Sequence, residues 1–186
     1  MILPIVPYGD PVLRKISKPI DKDYPNLKEL IANMYETMYG ADGVGLAAPQ
    51  INLNIRLVVI GFRPYDEKTD TYAEKAVEYT LINPEILESG EGKDYFCEGC
   101  LSIPDIHEDV LRPTTIHLHW FDENFVEHDE WIDDMFARVA QHEIDHLDGK
   151  VFTDRLSTLR KTFVKRKLND VASGKYAVRY KMKRKK

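Results

Sequence analysis

Long apolar runs are missing from this chain. Nowhere do the roughly 20 consecutive hydrophobic residues of a membrane-spanning helix occur, so a helical membrane protein is excluded. Cysteine is scarce as well: Cys97 and Cys100 are the two in 186 residues, which rules out a disulfide framework and, in a reducing compartment, points to metal or redox chemistry. The opening residues MILPIVPYGDP carry no positive n-region and are broken by prolines, so no signal peptide is expected and the location is expected to be cytoplasmic. Acids run out near the end. Residues 160–186 hold twelve lysines and arginines against Asp170 alone, so a net charge of -5 conceals an acidic body and a basic end. That asymmetry suits a polyanionic partner, and neither a membrane nor DNA is expected as one. What is present is ordinary for a globular protein, 43% hydrophobic and 31% charged. The length suits one domain, expected over residues 1–174, followed by a basic, mobile tail over 175–186.

The informative stretch is residues 131–149, WIDDMFARVAQHEIDHLDG. At about 100° per residue, His142 and His146 lie roughly 40° apart on one helical face and can reach one metal ion. Glu143 flanks that ion without having to bind it, and a carboxylate so placed can take a proton from water, which makes His-Glu-x-x-His a signature of metal-assisted hydrolysis. Asp133 or Asp134 can cap this helix and Gly149 can end it. Met135, Phe136, Ala137, Val139, Ala140, Ile144 and Leu147 surround most of it, as expected of a helix buried on nearly all sides. A third ligand is required, and glutamate is absent after Glu143 while the extended zinc-protease pattern fails at Phe152. Asp154, Cys97, Cys100, His107, His117, His119 and His128 remain candidates.

Around this helix the chain reads as strands and two further helices. Leu27, Leu30, Ile31, Met34 and Met38 recur at helical spacing, with Asp23 able to cap the start and Gly40 to stop the end; the methionines read as core. The stretch 40–50, GADGVGLAAPQ, is crowded with glycine and alanine, which lets another backbone approach, and Gln50 offers an amide N–H. Residues 56–61 and 79–83 read as strands, joined by a long polar hairpin loop over 62–78. Ile116, Leu118 and Trp120 alternate with His117 and His119, and residues 125–131 return as a partner strand. Leu156, Leu159, Phe163, Leu168 and Val171 mark a last amphipathic helix, capped by Asp154 or Ser157 and ended near Gly174, with Arg160, Lys161, Lys165, Arg166 and Lys167 outside. The predicted class is α+β: antiparallel sheets around a central metal-binding helix, with one helix near each end of the chain.

GVGLAAPQ, EGCLS and QHEIDH, in that order and spacing, resemble the three signature motifs of peptide deformylases, and the likeness extends over most of residues 1–160 through YGDPVLRK and LINPEI. The resemblance implies Cys100 as the third ligand beside His142 and His146, with Fe(II) the native ion and zinc, nickel or cobalt able to use the same donors. It implies hydrolysis of the formyl group on N-formylmethionyl nascent peptides, with Glu143 as the proton carrier and the Gln50 amide and the Leu101 backbone N–H as oxyanion donors. Gly45 and Gly99 then become positions where a peptide backbone pairs, and Val44, Met135 and Val139 line a methionine pocket. Relatives of this kind also use a C-terminal helix on the ribosome. Cys97 is not required by the motif, and Arg138 has no chemical explanation at this level. Two other readings compete: a non-catalytic domain whose structural zinc is closed by Cys97, Cys100, His142 and His146, and an endopeptidase of the same metal chemistry.

Overall fold

The computed structural model describes residues 1–66 and 68–184. Its elements stack as layers with the predicted metal helix in the middle. Helix α1 (Leu27–Gly40) lies on one face of a five-stranded antiparallel sheet built from β1 (Gly45–Ala47), β2 (Leu57–Phe62), β5 (Val77–Ser89), β8 (Ile116–Phe121) and β9 (Glu127–Ile132), ordered β1-β2-β5-β8-β9. Helix α2 (Asp134–Leu147) covers the other face, and beyond it lie a two-stranded ribbon of β6 (Lys93–Cys100) with β7 (Ile103–Pro113) and then α3 (Thr158–Ala172). A second, small ribbon of β3 (Tyr65–Asp66) and β4 (Thr71–Tyr72) rises from the connection between β2 and β5.

The period-two alternation of β2 explains why both faces of the sheet are covered. Val58 and Ile60 join Leu81, Ile116, Leu118 and Trp120 against Ala137, Val139, Ala140, Ile144 and Leu147 of α2. Leu57 and Val59 face the other way, onto Ile31, Met34 and Met38 of α1. A third apolar cluster joins Ile103, Ile106 and Val110 of β7 to Val164 and Leu168 of α3 through Val151, Phe152 and Leu156. Burial of each large apolar side chain contributes about 1.5–3 kcal/mol, so α2, buried from Ala137 to Leu147, is fixed from two sides.

Several local expectations change. The N-cap of α1 is Asn26, in a left-handed conformation (φ 55°), and not Asp23. Asp133 occupies the N-cap of α2 without a side-chain capping bond, so tertiary packing holds that end of the helix. Strand β5 does not stop before Pro84: a register shift between Ile82 and Glu85 absorbs the missing donor, and the Asn83 side chain bonds both Ile20 N–H and Ile20 C=O. In α3, Ser157 caps as expected, yet Leu159 and Phe163 are 66% and 65% exposed while Val164, Leu168 and Val171 face the body. The basic end does not stand apart. Ile5 pairs with Met182 through bonds to Lys181 C=O (2.8 Å) and from Lys183 N–H (2.7 Å), which lays residues 175–184 along the molecule; the last two residues of the expected tail lie outside the described residues.

Candidate metal centre

One turn apart on α2, the rings of His142 and His146 have centroids 5.3 Å from each other. The end of β6 brings Cys100 onto them, with its Sγ 3.3 Å from His146 Nε2. Among the described residues these three side chains form one group whose ligand atoms all lie within 4.8 Å of one another. His142 Nδ1 meets the Glu98 carboxylate at 2.9 Å, which fixes the ring and leaves Nε2 for the cluster. Burial opposes charge on His142, but the Cys100 sulfur and the Glu98 carboxylate outweigh it and push the ring up to about 10. Burial together with that neighbouring charge pushes His146 down to about 3. The two buried rings therefore do not both take up a proton. A thiolate with two imidazoles is a fitting donor set for one divalent transition ion.

Glu143 sits beside the cluster, 4% exposed, and its Oε2 has no hydrogen-bond partner. A Cβ added at Gly45 would lie 2.5 Å from Glu143 Oε1 and 2.7 Å from Val139 Cγ1, so the glycine is needed to admit this carboxyl to the site. Burial pushes Glu143 up to about 7, against the pull of the His142 charge. A carboxyl poised near neutrality can both accept and return a proton. Gln50 spends its Oε1 on the Ala47 N–H (2.8 Å), which turns Nε2 toward Cys100 Sγ (3.5 Å) and Ser102 Oγ (3.3 Å). Leu101 occupies the turn between β6 and β7, next to the thiol.

A cavity of about 510 Å³ opens over this cluster. Val44, Gly45, Met135 and Val139 line it together with Gly99, and β1 and β6 present strand edges that no other strand of their sheets pairs. Gly99 is small for a further reason: a Cβ there would lie 2.7 Å from the His107 ring. The residues that the resemblance assigns to the site thus lie at or beside one cleft, whereas the candidate ligands His117, His119 and His128 pair with Asp129, Glu127 and Asp122 in the β8–β9 hairpin and Asp154 pairs with Arg14.

The sequence model of the polypeptide deformylase family matches residues 2–162. The chain belongs to that family. It is 51% identical to a peptide deformylase of Flavobacterium johnsoniae over 98% of this chain and 96% of the relative, and 44% identical to one of Cytophaga hutchinsonii over 98% and 97%. Among solved structures it resembles a peptide deformylase from Legionella pneumophila (TM-score 0.77, 38% identity, 91% of this chain and 95% of that one) and a plant peptide deformylase (TM-score 0.80, 35% identity, 90% and 87%). The deformylase is accordingly an enzyme, and the matches favour neither an endopeptidase nor a non-catalytic zinc domain. Cys97, needed to close a structural zinc site, is exposed and outside the ligand group.

What the pattern of residues concealed in this deformylase is the support behind the ligands. Arg112, 0% exposed, clamps Glu98 with Nε (2.7 Å) and Nη2 (2.9 Å) and reaches Asp145 with Nη1 (2.8 Å). Arg155 donates to both Asp145 oxygens, from Nε to Oδ2 and from Nη2 to Oδ1, each at 2.5 Å. Burial would raise the Glu98 carboxyl, but Arg112 and His142 hold it down to about 2, so it stays ionised beneath the His142 ring. Arg138, unexplained from the sequence, donates to Val110 C=O (3.1 Å), Asp94 C=O (3.0 Å) and Glu98 (3.3 Å) and lies over the Phe96 ring. It joins α2 to the β6–β7 ribbon. The signal for Glu98 was its place in EGCLS; nothing local in the sequence pointed to its partners.

Proposed function

We propose that Cys100, His142 and His146 hold one divalent metal ion, natively Fe(II), and that Glu143 moves the proton in removal of the formyl group from N-formylmethionyl peptides. The carrying observation is the buried Glu143 carboxyl, whose Oε2 has no partner, beside a group of one thiol and two imidazoles. When bound, the ion supplies Lewis acidity toward water and the formyl oxygen. Zinc, nickel or cobalt suit the same donors. Water adds to the formyl carbon as Glu143 takes its proton; the carbon–nitrogen bond then breaks and Glu143 returns the proton to the leaving nitrogen, giving formate and a free amine. The Gln50 amide and the Leu101 N–H stabilise the oxygen that gains charge. An extended peptide laid between the edges of β1 and β6 pairs at Gly45 and Gly99, with the methionine side chain against Val44, Met135 and Val139. Formate release from formyl-Met-Ala-Ser tests this reading. Turnover that persists in Glu143→Gln would refute the role given to that residue.

The outward face of α3, with Lys161, Lys165, Arg166 and Lys167 beside exposed Leu159 and Phe163, supports docking to ribosomal RNA in the cytoplasm. No helix among the described residues is long and apolar enough to cross a membrane. Such docking weakens with added salt. Cosedimentation with ribosomes unaffected by salt and by Lys165→Glu with Arg166→Glu would rule it out.

A further inference from the structure

The last segment of the chain returns to the cleft. After α3 ends, Gly174 adopts φ +81° and the backbone doubles back. Residues 175–184 are then pinned at three places. Ile5 pairs with Met182; the Lys183 ammonium bonds Asp10 (2.9 Å) and Asn52 (2.8 Å); and the Tyr180 hydroxyl donates to Leu101 C=O (2.8 Å). Val178, just before these pins, and Tyr180, one of them, line the same 510 Å³ cavity as Cys100, Gln50 and Glu143. Both side chains are half-buried, so each keeps surface that an occupant of the cleft can touch.

Three facts separate this segment from the rest of the site. It lies wholly beyond the residues 2–162 matched to the family. It belongs to neither strand edge along which a substrate backbone can pair. And it enters at the Leu101 turn, whereas Met135 and Val139 enter from α2. A substrate whose first side chain lies against α2 must send its later residues elsewhere in the cavity.

We propose that residues 175–184 form an outer wall of the substrate cleft, and that Val178 and the ring of Tyr180 determine which side chains are accepted after the methionine. This rests on the deformylase reading of the same site. An apolar, half-buried wall favours bulky apolar side chains downstream, because these remove more apolar surface from water on binding. The bond from Tyr180 to Leu101 makes the wall continuous with the turn that carries the thiol.

The test compares wild type, Val178→Ala, Tyr180→Ala and Tyr180→Phe, each loaded with metal and checked by thermal melting. Formate release is measured on formyl-Met-Ala-Ala and formyl-Met-Ala-Phe, and binding of the corresponding unformylated peptides by calorimetry. Opening the wall should reduce the preference for phenylalanine over alanine by about three- to ten-fold, mainly through KM and equally in the binding ratios. Tyr180→Phe, which keeps the ring, should retain most of that preference. Unchanged preference in both alanine variants, or equal loss on both peptides, overturns the proposal. If wild type released no formate from either peptide, the functional reading would fail, while the calorimetric ratios would still judge the wall.

Discussion

Glu143 shows how little separates a structural carboxyl from a working one. Its Oε2 lacks a partner and its Oε1 fits only because residue 45 has no Cβ. Glu143→Gln keeps the shape and removes the proton carrier, so formate release should fall by about 10²–10⁴-fold while metal content stays at the wild-type level. Parallel assays of formate and metal check this; loss of the ion with the activity would mean that Glu143 is a ligand. Arg112 makes the opposite case, a residue that touches no substrate. Arg112→Ala would take the shared cation from the buried Glu98 and Asp145, leaving His142 and Arg138 on the one and Arg155 on the other, at a cost of up to about 3–5 kcal/mol in urea unfolding. A change under about 1 kcal/mol would show that the network is not structural.

Among the elements, α2 was readable because its information is local: a period of 3.6 places both histidines on one face, and apolar residues around the rest announce burial. Strand β5 was only half readable, since a proline normally ends a strand and the bulge that rescues it depends on Asn83 bonding Ile20, far away in the chain. The exposed face of α3 could not be ranked in advance, because Leu159 and Phe163 repeat with the helical period as well as Val164 and Leu168 do. The end segment is expected from its composition to be a mobile basic tail, and composition cannot show that Lys183 meets Asp10 and Asn52. That contact has a pH signature. Burial would raise the Asp10 carboxyl, but the Val12 N–H and the Lys183 ammonium outweigh it and hold it below its ordinary value. A group whose pKa is lowered by folding stabilises above its unfolded value, and that contribution fades as pH falls through the lowered one. The melting difference between wild type and Lys183→Met should therefore be largest near neutral pH and shrink in acid. A difference independent of pH would contradict the pairing.

For the molecule as a whole, the layer order α1, sheet, α2, ribbon, α3 puts the ligand-bearing helix at the centre and brings Cys100 to it from a different layer. An ion held by three side chains from two layers would link metal binding to folding. Chelation should lower the melting temperature as well as abolish activity, by an amount that grows with the logarithm of metal concentration over Kd. Melting that ignores chelator would place the ion outside the core. The α+β class was legible from periodicity and the meeting of Cys100 with His142 and His146 from the likeness of the motifs; the Glu98–Arg112–Asp145 support was not, because pairing across layers leaves no periodic trace.

The central claim is that one sulfur and two imidazole nitrogens converge on a single ion. X-ray absorption at the metal edge of anaerobically purified protein counts those donors directly. The account predicts one sulfur at about 2.3 Å and two nitrogens, unchanged in Cys97→Ala. Two sulfurs, or none, would contradict it.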